Sequence, residues 1–143
     1  MSFDLRLQNG DIVLGQDADL DTVTGNDKLV QDVIKMITTP QGSNKFQPAI
    51  GSLINKRLVG QVLTAQNTVT VLQASVQEAL SLLQKLQQQQ ALSQALTPAE
   101  TLVSVDSITV ERDSVEPRQL NVVLKLTAGD GNLLTETLTM TLT

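Results

Sequence analysis

The longest uninterrupted hydrophobic pattern lies between Ala65 and Leu92, a stretch without glycine or proline. Apolar residues recur there at spacings of three and four, which is the period of one helix face. These residues are Val69, Leu72, Val76, Ala79, Leu80, Leu83 and Leu86. The pattern predicts a helix about 42 Å long. Its apolar side is the natural cover for the β-rich segments before and after it.

A run of four glutamines, Gln87 to Gln90, follows the apolar pattern of this predicted helix. Such a run of low complexity is most often a solvated helix end, and a helix–helix contact is the alternative. Residues 93–98 then break the helix.

The N-terminal residues alternate between apolar and polar. Phe3, Leu5 and Leu7 are separated by single polar residues, which predicts a half-buried strand. Asn9 and Gly10 form a turn signal, so we expect a β-hairpin here.

A second amphipathic helix is predicted after Gly25, with Asn26 or Asp27 as its N-terminal cap. It should end near Thr39, because Pro40 pushes the residue before it out of helical angles.

The last third of the chain alternates in three segments, residues 102–111, 120–126 and 134–142. In the first, Val103 and Val105 share a face that Ile108 and Val110 continue only across an inserted residue, which predicts a bulge near Asp106. A glycine-rich turn at 128–132 joins the other two. Together they predict a three-stranded antiparallel sheet with its apolar face on the long helix. Four threonines of the last segment face the other way, namely Thr135, Thr137, Thr139 and Thr141.

These elements predict an α+β fold in a single domain spanning residues 1–143. It consists of an N-terminal hairpin and helix, then one long central helix packed against a small antiparallel C-terminal sheet. The last strand continues to the final residue without flanking cover. A threonine-rich edge of this kind offers unpaired backbone groups to another chain. Periodicity does not reveal which edge of the sheet is open.

Composition narrows the chemistry that we expect. The net charge is -5 and the chain lacks a basic block, so we expect no nucleic-acid partner. The chain has no Cys and no His, which removes thiolate chemistry and the commonest general base and metal ligand. No apolar run reaches the length of a membrane span, so we expect a soluble protein made in a cytoplasm, without membrane or cofactor. The aspartates at 11, 17, 19 and 21 lack the Glu of a calcium loop, and we expect solvated turns there.

A sequence resemblance accompanies these elements. Residues 38–60 read TTPQGSNKFQPAIGSLINKRLVG, and the preceding helix start carries Gly25, Leu29 and Gln31. This arrangement resembles the baseplate-wedge, or sheath-initiator, family of contractile phage tails, with relatives in type VI secretion and other contractile injection systems. The family turn usually reads T-P-x-G-E, and here Ser43 replaces the Glu. The resemblance follows element order from about Asp11 to the end.

The resemblance implies a structural protein of the tail baseplate. Such a protein joins the wedge to the tail sheath and templates the first sheath ring by accepting an arm of a sheath subunit as an added β-strand. The implied partners are the tail-sheath subunit, baseplate wedge proteins and tail tube or hub proteins, with six copies in a ring. The implied location is the virion tail baseplate, assembled in the host cytoplasm. A phage and a phage-derived injection system both fit.

The family also carries a Glu-Pro-Arg motif that docks wedge proteins. A literal copy, Glu116, Pro117 and Arg118, falls here between the first and second predicted strands. In chain order the family position corresponds instead to residues 97–100, which lack the Arg. Either the motif has degenerated or the literal copy is a coincidence in a loop. These three residues and the four threonines of the last strand are the candidate partner-binding residues.

The alternative function is a carboxylate-dependent peptidoglycan hydrolase of the baseplate, since the family has been labelled lysozyme-like. Glycoside hydrolysis needs two carboxylates across one cleft. Glu78 on the long helix and Glu136 on the last strand are the candidates. Glu136 is expected to reach solvent or to meet Lys125 or Arg118. The chain has no Trp or Tyr to stack on a sugar, so we expect no enzymatic activity.

Overall fold

The computed structural model describes residues 3–9, 11–17, 19–58, 65–116 and 118–141. The elements in chain order are β1 (Asp4–Leu5), β2 (Leu7–Gln8), β3 (Asp11–Ile12), β4 (Thr22–Val23), α1 (Gly25–Thr38), α2 (Ile54–Leu58), α3 (Ala65–Ala91), a 3₁₀ turn (Pro98–Glu100), β5 (Leu102–Arg112), β6 (Gln119–Ala128) and β7 (Leu133–Thr141). The predicted α+β fold is confirmed. Its extent as one domain stays a prediction.

The N-terminal strands form two small antiparallel ladders. β2 pairs with β3 across a turn at Asn9, whose φ is 52°, and β1 pairs with β4. The hairpin is therefore confirmed, but half-burial is wrong for Phe3 and Leu7, which are 69% and 39% exposed. Hydrogen bonds hold this segment on α1 instead, because the Gln31 amide donates to the Leu5 carbonyl at 2.8 Å and accepts from the Leu7 N–H at 2.9 Å.

Helix α1 begins earlier than its polar residues suggest. Thr24 is the N-cap residue, and Asn26 and Asp27 lie within the first turn, so the predicted caps are wrong. Asp27 there faces the positive end of the helix dipole. The predicted end is confirmed, since Thr39 has left helical angles before Pro40.

The core forms between α3, α1 and the inner face of the sheet. The apolar face of α3 is buried as predicted, with Leu72, Val76 and Leu80 at 0% exposure, while Val69 and Leu86 pack against the edge of the core. The inner face of β6 completes it with Leu120, Val122, Leu124, Leu126 and Ala128.

The C-terminal sheet has the strand order β5-β6-β7, antiparallel throughout. The predicted bulge is confirmed by a register shift between Val105 and Ser107. A second shift, between Leu102 and Ser104, was not predicted. Because of it Leu102 is buried while Val103 is 56% exposed, so the expectation that Val103 shares the core face of Val105 is wrong.

Gly51 and Ser52, which lie in the segment 38–60 that carries the family resemblance, hold the chain against the end of α1. The Ser52 hydroxyl donates to the Ile37 carbonyl at 2.7 Å, and Ser52 forms a parallel bridge with Pro40. A Cβ on Gly51, whose φ is 115°, would lie 2.4 Å from the Thr39 carbonyl oxygen. Only glycine fits this close approach.

Candidate partner-binding site

The hairpin that joins β6 to β7 determines which β7 groups face outward. The Ala128 N–H donates to the Asn132 carbonyl at 3.0 Å, so this pair is hydrogen-bonded. Opposite residues of an antiparallel ladder alternate between bonded and non-bonded pairs. Counting along the register, every second residue from Leu134 bonds to β6, and the residues between them direct N–H and C=O away from it. The outward residues are Leu133, Thr135, Thr137, Thr139 and Thr141.

The four predicted threonines therefore coincide with the outward backbone groups of an edge strand. All four side chains are exposed on the outer face of the sheet, as the alternation predicted. Thr139 donates its hydroxyl to the Asn121 Oδ1 of β6 at 3.1 Å. Within the described part of the chain, no hydrogen bond reaches the outward N–H and C=O groups of β7.

Glutamine side chains of α3 occupy backbone groups of the opposite edge of the sheet at two places, the start of β5 and Ile108. Gln73 donates to the Ile108 carbonyl of β5 at 3.0 Å, and Gln84 donates to the Val103 carbonyl at 2.8 Å. Gln87 is 5% exposed. It accepts from the Leu102 N–H at 2.9 Å and donates to the Glu100 carbonyl at 3.0 Å.

These bonds correct the interpretation of the glutamine run. Gln87 is neither a solvated helix end nor a helix–helix contact, because it binds the start of β5. A signal for this lay in the spacing, since Gln84 and Gln87 are one helical turn apart and Gln73 lies three turns before Gln84. Glutamines on one helix line can pair with an adjacent strand edge, although composition alone does not show that a strand lies there.

The literal Glu-Pro-Arg copy lies in the loop between β5 and β6. Glu116 and Arg118 are exposed, and Pro117 lies outside the described residues. The Arg118 N–H donates to the Glu116 carboxylate at 3.3 Å, and the Gln119 N–H donates to the Glu116 carbonyl at 3.0 Å. Since Gln119 pairs with Thr141, this loop sits at the same end of the sheet as the end of β7.

The alternative position, residues 97–100, has a structural role. The Glu100 carboxylate accepts the Thr97 N–H at 3.0 Å in a capping box, and Glu100 is 1% exposed. A buried carboxylate that is used for capping is not available for docking.

A groove of about 540 Å³ runs beside β7, between its inner face, α1 and the N-terminal segment. Its lining includes Leu7, Val30, Ile34 and Glu136, and two cations, Arg6 and Lys35. Arg6 pairs with Asp21 at 2.6 Å, and Lys35 pairs with Asp4. Glu136 is partly exposed and in no ion pair within the described residues, so of its two expected outcomes the structure shows contact with solvent and no pairing with Lys125 or Arg118.

The two candidate catalytic carboxylates line different pockets. Glu136 faces the groove beside β7, whereas Glu78 lies on α3 beside Ser52 and Ser75. Glu78 is exposed and pairs with Arg57 at 2.8 Å. This placement does not bring them together across one cleft.

No group of three or more acidic side chains among the described residues is arranged to hold a metal ion. No helix that the structure describes combines the length and apolar character of a membrane span.

Comparisons with known proteins show a similarity at the level of fold. No protein-family model matches the chain, and no curated protein matches it in sequence. The fold is similar to that of a Geobacter sulfurreducens protein whose crystal structure is described as a "putative tail lysozyme", with a TM-score of 0.62. The alignment covers 93% of this chain and 97% of that chain at 15% sequence identity. At this identity the likeness establishes a shared fold and no activity.

The closure of β5 is tested by Gln87→Leu. Leucine removes both hydrogen bonds of the Gln87 amide and leaves the buried Leu102 N–H without its partner, so we expect the free energy of unfolding to fall by about 2 kcal/mol. Urea unfolding measures this, and exposed Gln88→Leu is the matched control, expected within about 0.5 kcal/mol of wild type. A loss at Gln87 no larger than at Gln88 would contradict the closure.

The contacts that hold Asp4 of the N-terminal segment against α1 are tested by the pH dependence of stability. Burial raises the pKa of the Asp4 carboxyl, but the hydrogen bond and charge of Lys35, the Leu5 N–H and the Gln31 amide outweigh burial and lower it below 3.8. Its stabilisation is therefore present above the unfolded-state pKa and is lost as pH falls through the folded-state pKa.

We accordingly expect Asp4→Asn to be less stable than wild type at neutral pH, with the difference shrinking as the pH falls below the ordinary Asp pKa of about 3.9. Urea unfolding across a pH series measures it, with the exposed turn variant Asp17→Asn as control. A difference that stays constant into acid would refute the assignment of this stability to the Asp4 carboxylate.

Proposed function

We propose that this chain is a structural component of a contractile-tail baseplate that binds another tail protein by β-strand addition. The observation that carries the proposal is the asymmetry of the C-terminal sheet. The α3 glutamines close the β5 edge, while β7 directs unbonded N–H and C=O groups to the outside. The fold is shared with a protein described as a "putative tail lysozyme", which supports a tail as the assembly in which this chain acts.

Strand addition suits this edge for physical reasons. Main-chain hydrogen bonds from an added strand supply affinity without requiring a deep pocket, and alternate side chains supply specificity. Natural proteins protect exposed edges with prolines, inward-pointing charges, bulges or covering elements. β5 has bulges and a covering helix, whereas β7 has neither a bulge nor a proline. Of these protections β7 carries one inward-pointing charge, Glu136, and it otherwise remains a long, regular edge that a partner strand can extend.

In the assembly we propose that the added strand is an extended arm of the tail-sheath subunit. The chain then links the wedge to the sheath and templates the first sheath ring, with six copies in a ring of the virion baseplate assembled in the host cytoplasm. Wedge proteins, and tube or hub proteins, are its other proposed contacts. Glu116 and Arg118, exposed at the same end of the sheet as Thr141, are the proposed wedge contacts.

A hydrolase is the weaker candidate. It remains a candidate because the fold is similar to that of a protein described as a "putative tail lysozyme". Glycoside hydrolysis requires a carboxylate pair about 5–9.5 Å apart across the scissile bond. Glu78 lies in an ion pair beside one pocket and Glu136 lines another, so these two candidate carboxylates do not face each other across one cleft. We therefore propose that the chain is not an enzyme.

The proposal is tested by co-elution of the chain with the tail-sheath subunit of the same source, with masses from light scattering. We expect a stable complex that is lost when the terminal arm of the sheath subunit is removed. Thr139→Pro removes an outward donor while sparing the backbone hydrogen bonds to β6, so we expect the affinity to fall about tenfold or more in a protein that still folds.

Thr139→Ala keeps the backbone donor and is the matched control, expected to bind like wild type. Absence of a wild-type complex would overturn the proposed function. Full binding by folded Thr139→Pro would place the interface elsewhere on the chain. Release of peptidoglycan fragments that disappears in Glu78→Gln or Glu136→Gln would support the hydrolase instead.

A further inference from the structure

We infer that Glu136 selects the partner strand, by pairing with a lysine or arginine that the strand carries on its inner face. This inference rests on the proposed strand addition at β7. It adds the chemistry of the partner, which is an extended segment that alternates apolar residues on the inner face with a single basic residue among them.

The position of Glu136 in β7 is the first argument. It stands on the apolar face of the strand between Leu134 and Leu138, directly opposite Leu124 of β6, which is fully buried. Glu136 is half-buried and lines the groove. A carboxylate among leucines loses part of its hydration, and such a position tolerates it best when a cation lies alongside.

The charges around the groove give the second argument. Arg6 is occupied by Asp21, and Lys35 is occupied by Asp4 and lies near the Gln31 amide. Both cations of the groove are thus neutralised by other carboxylates. Glu136 and Asp27, which is exposed at the start of α1, are in no ion pair among the described residues. The groove therefore complements a cation.

The geometry of strand addition gives the third argument. An added strand lies about 4.8 Å from β7 and places every second side chain on the same face as Glu136. These inner side chains enter the groove between β7 and α1, where Val30 and Ile34 offer apolar surface. The residue opposite Glu136 lies within reach of its carboxylate. A partner strand with one cation at this position and apolar residues on either side of it therefore matches the residues that line the groove.

A register function follows from this arrangement. Along the inner face of β7 the other described residues are apolar, so sliding an added strand by two residues would cost little without a distinguishing contact. A single carboxylate at one position penalises every register but the one that places the cation opposite it. Opposite charges directly across a ladder favour pairing, and like charges oppose it.

The test uses short labelled peptides and the full chain. The probe has the palindromic sequence Thr-Val-Thr-Lys-Thr-Val-Thr, which presents the same pattern in parallel and antiparallel addition, and its partners carry Gln or Glu in place of Lys. Fluorescence anisotropy measures binding. We expect the Lys peptide to bind at least about fivefold more tightly than the Glu peptide, with Gln between them. We expect the preference to disappear in Glu136→Gln.

Glu111→Gln, which removes an exposed carboxylate from β5, is the control for net charge and should keep the preference. Equal binding of the three peptides, binding of none, or a preference that survives in Glu136→Gln would each overturn the inference. The experiment contains no sheath subunit, so its failure is separate from failure of the sheath co-elution. If the chain binds the sheath subunit but shows no preference for the Lys peptide, the proposed function stands and only this inference is overturned.

Discussion

The hydrogen bonds from the α3 glutamines to the outer edge of β5 are the constraint on which the rest of this structure depends. A three-stranded sheet has two edges, and each presents unpaired backbone groups that pair with whatever strand they meet. Gln73, Gln84 and Gln87 occupy groups of one edge. β7 remains as the edge that is available for association. Unpaired edge groups, which usually favour aggregation, are thereby confined to a surface where a specific partner strand can bind.

Helix α3 thereby stabilises the fold in two ways. Its apolar face fills the core between α1 and the sheet, with Leu72, Val76 and Leu80 fully buried. Its glutamine line bonds to backbone groups of β5, and for the buried groups at Gln87 the loss of the partner would cost about 1–3 kcal/mol each. The helix cannot slide along β5 without breaking both sets of contacts. The position of β7 and of the groove beside it follows from this fixed docking.

Much of this fold could be predicted because its signals are local and periodic. The long helix, the stop before Pro40, the alternation of β6 and the outward threonines of β7 all follow from spacing. The closure of β5 could not be predicted in the same way, since a buried glutamine and a solvated glutamine look alike in sequence. Gln87 became interpretable only when the start of β5 was seen beside it.

Two further differences have the same origin in tertiary contacts. Because of the bulge between Leu102 and Ser104, Leu102 faces the core and Val103 faces solvent. Both residues are apolar, so the hydrophobic pattern of the sequence does not reveal the bulge. Phe3 and Leu7 alternate like half-buried residues, yet Gln31 holds their segment by its backbone and leaves them exposed. For the candidate site, the threonine face was visible in the sequence, whereas the groove with its uncompensated Glu136 arose only when α1 was packed beside β7.

The most direct test of one closed and one open edge is amide hydrogen exchange of the free chain, resolved by residue with NMR. The account predicts that the outward amides of Thr137 and Thr139 exchange at least about tenfold faster than the Leu102 amide, which is bonded to Gln87, and than the Leu138 amide, which is bonded to β6. Equal protection of Thr139 and Leu102 would contradict it, because the two edges would then be alike and nothing would direct a partner strand to β7.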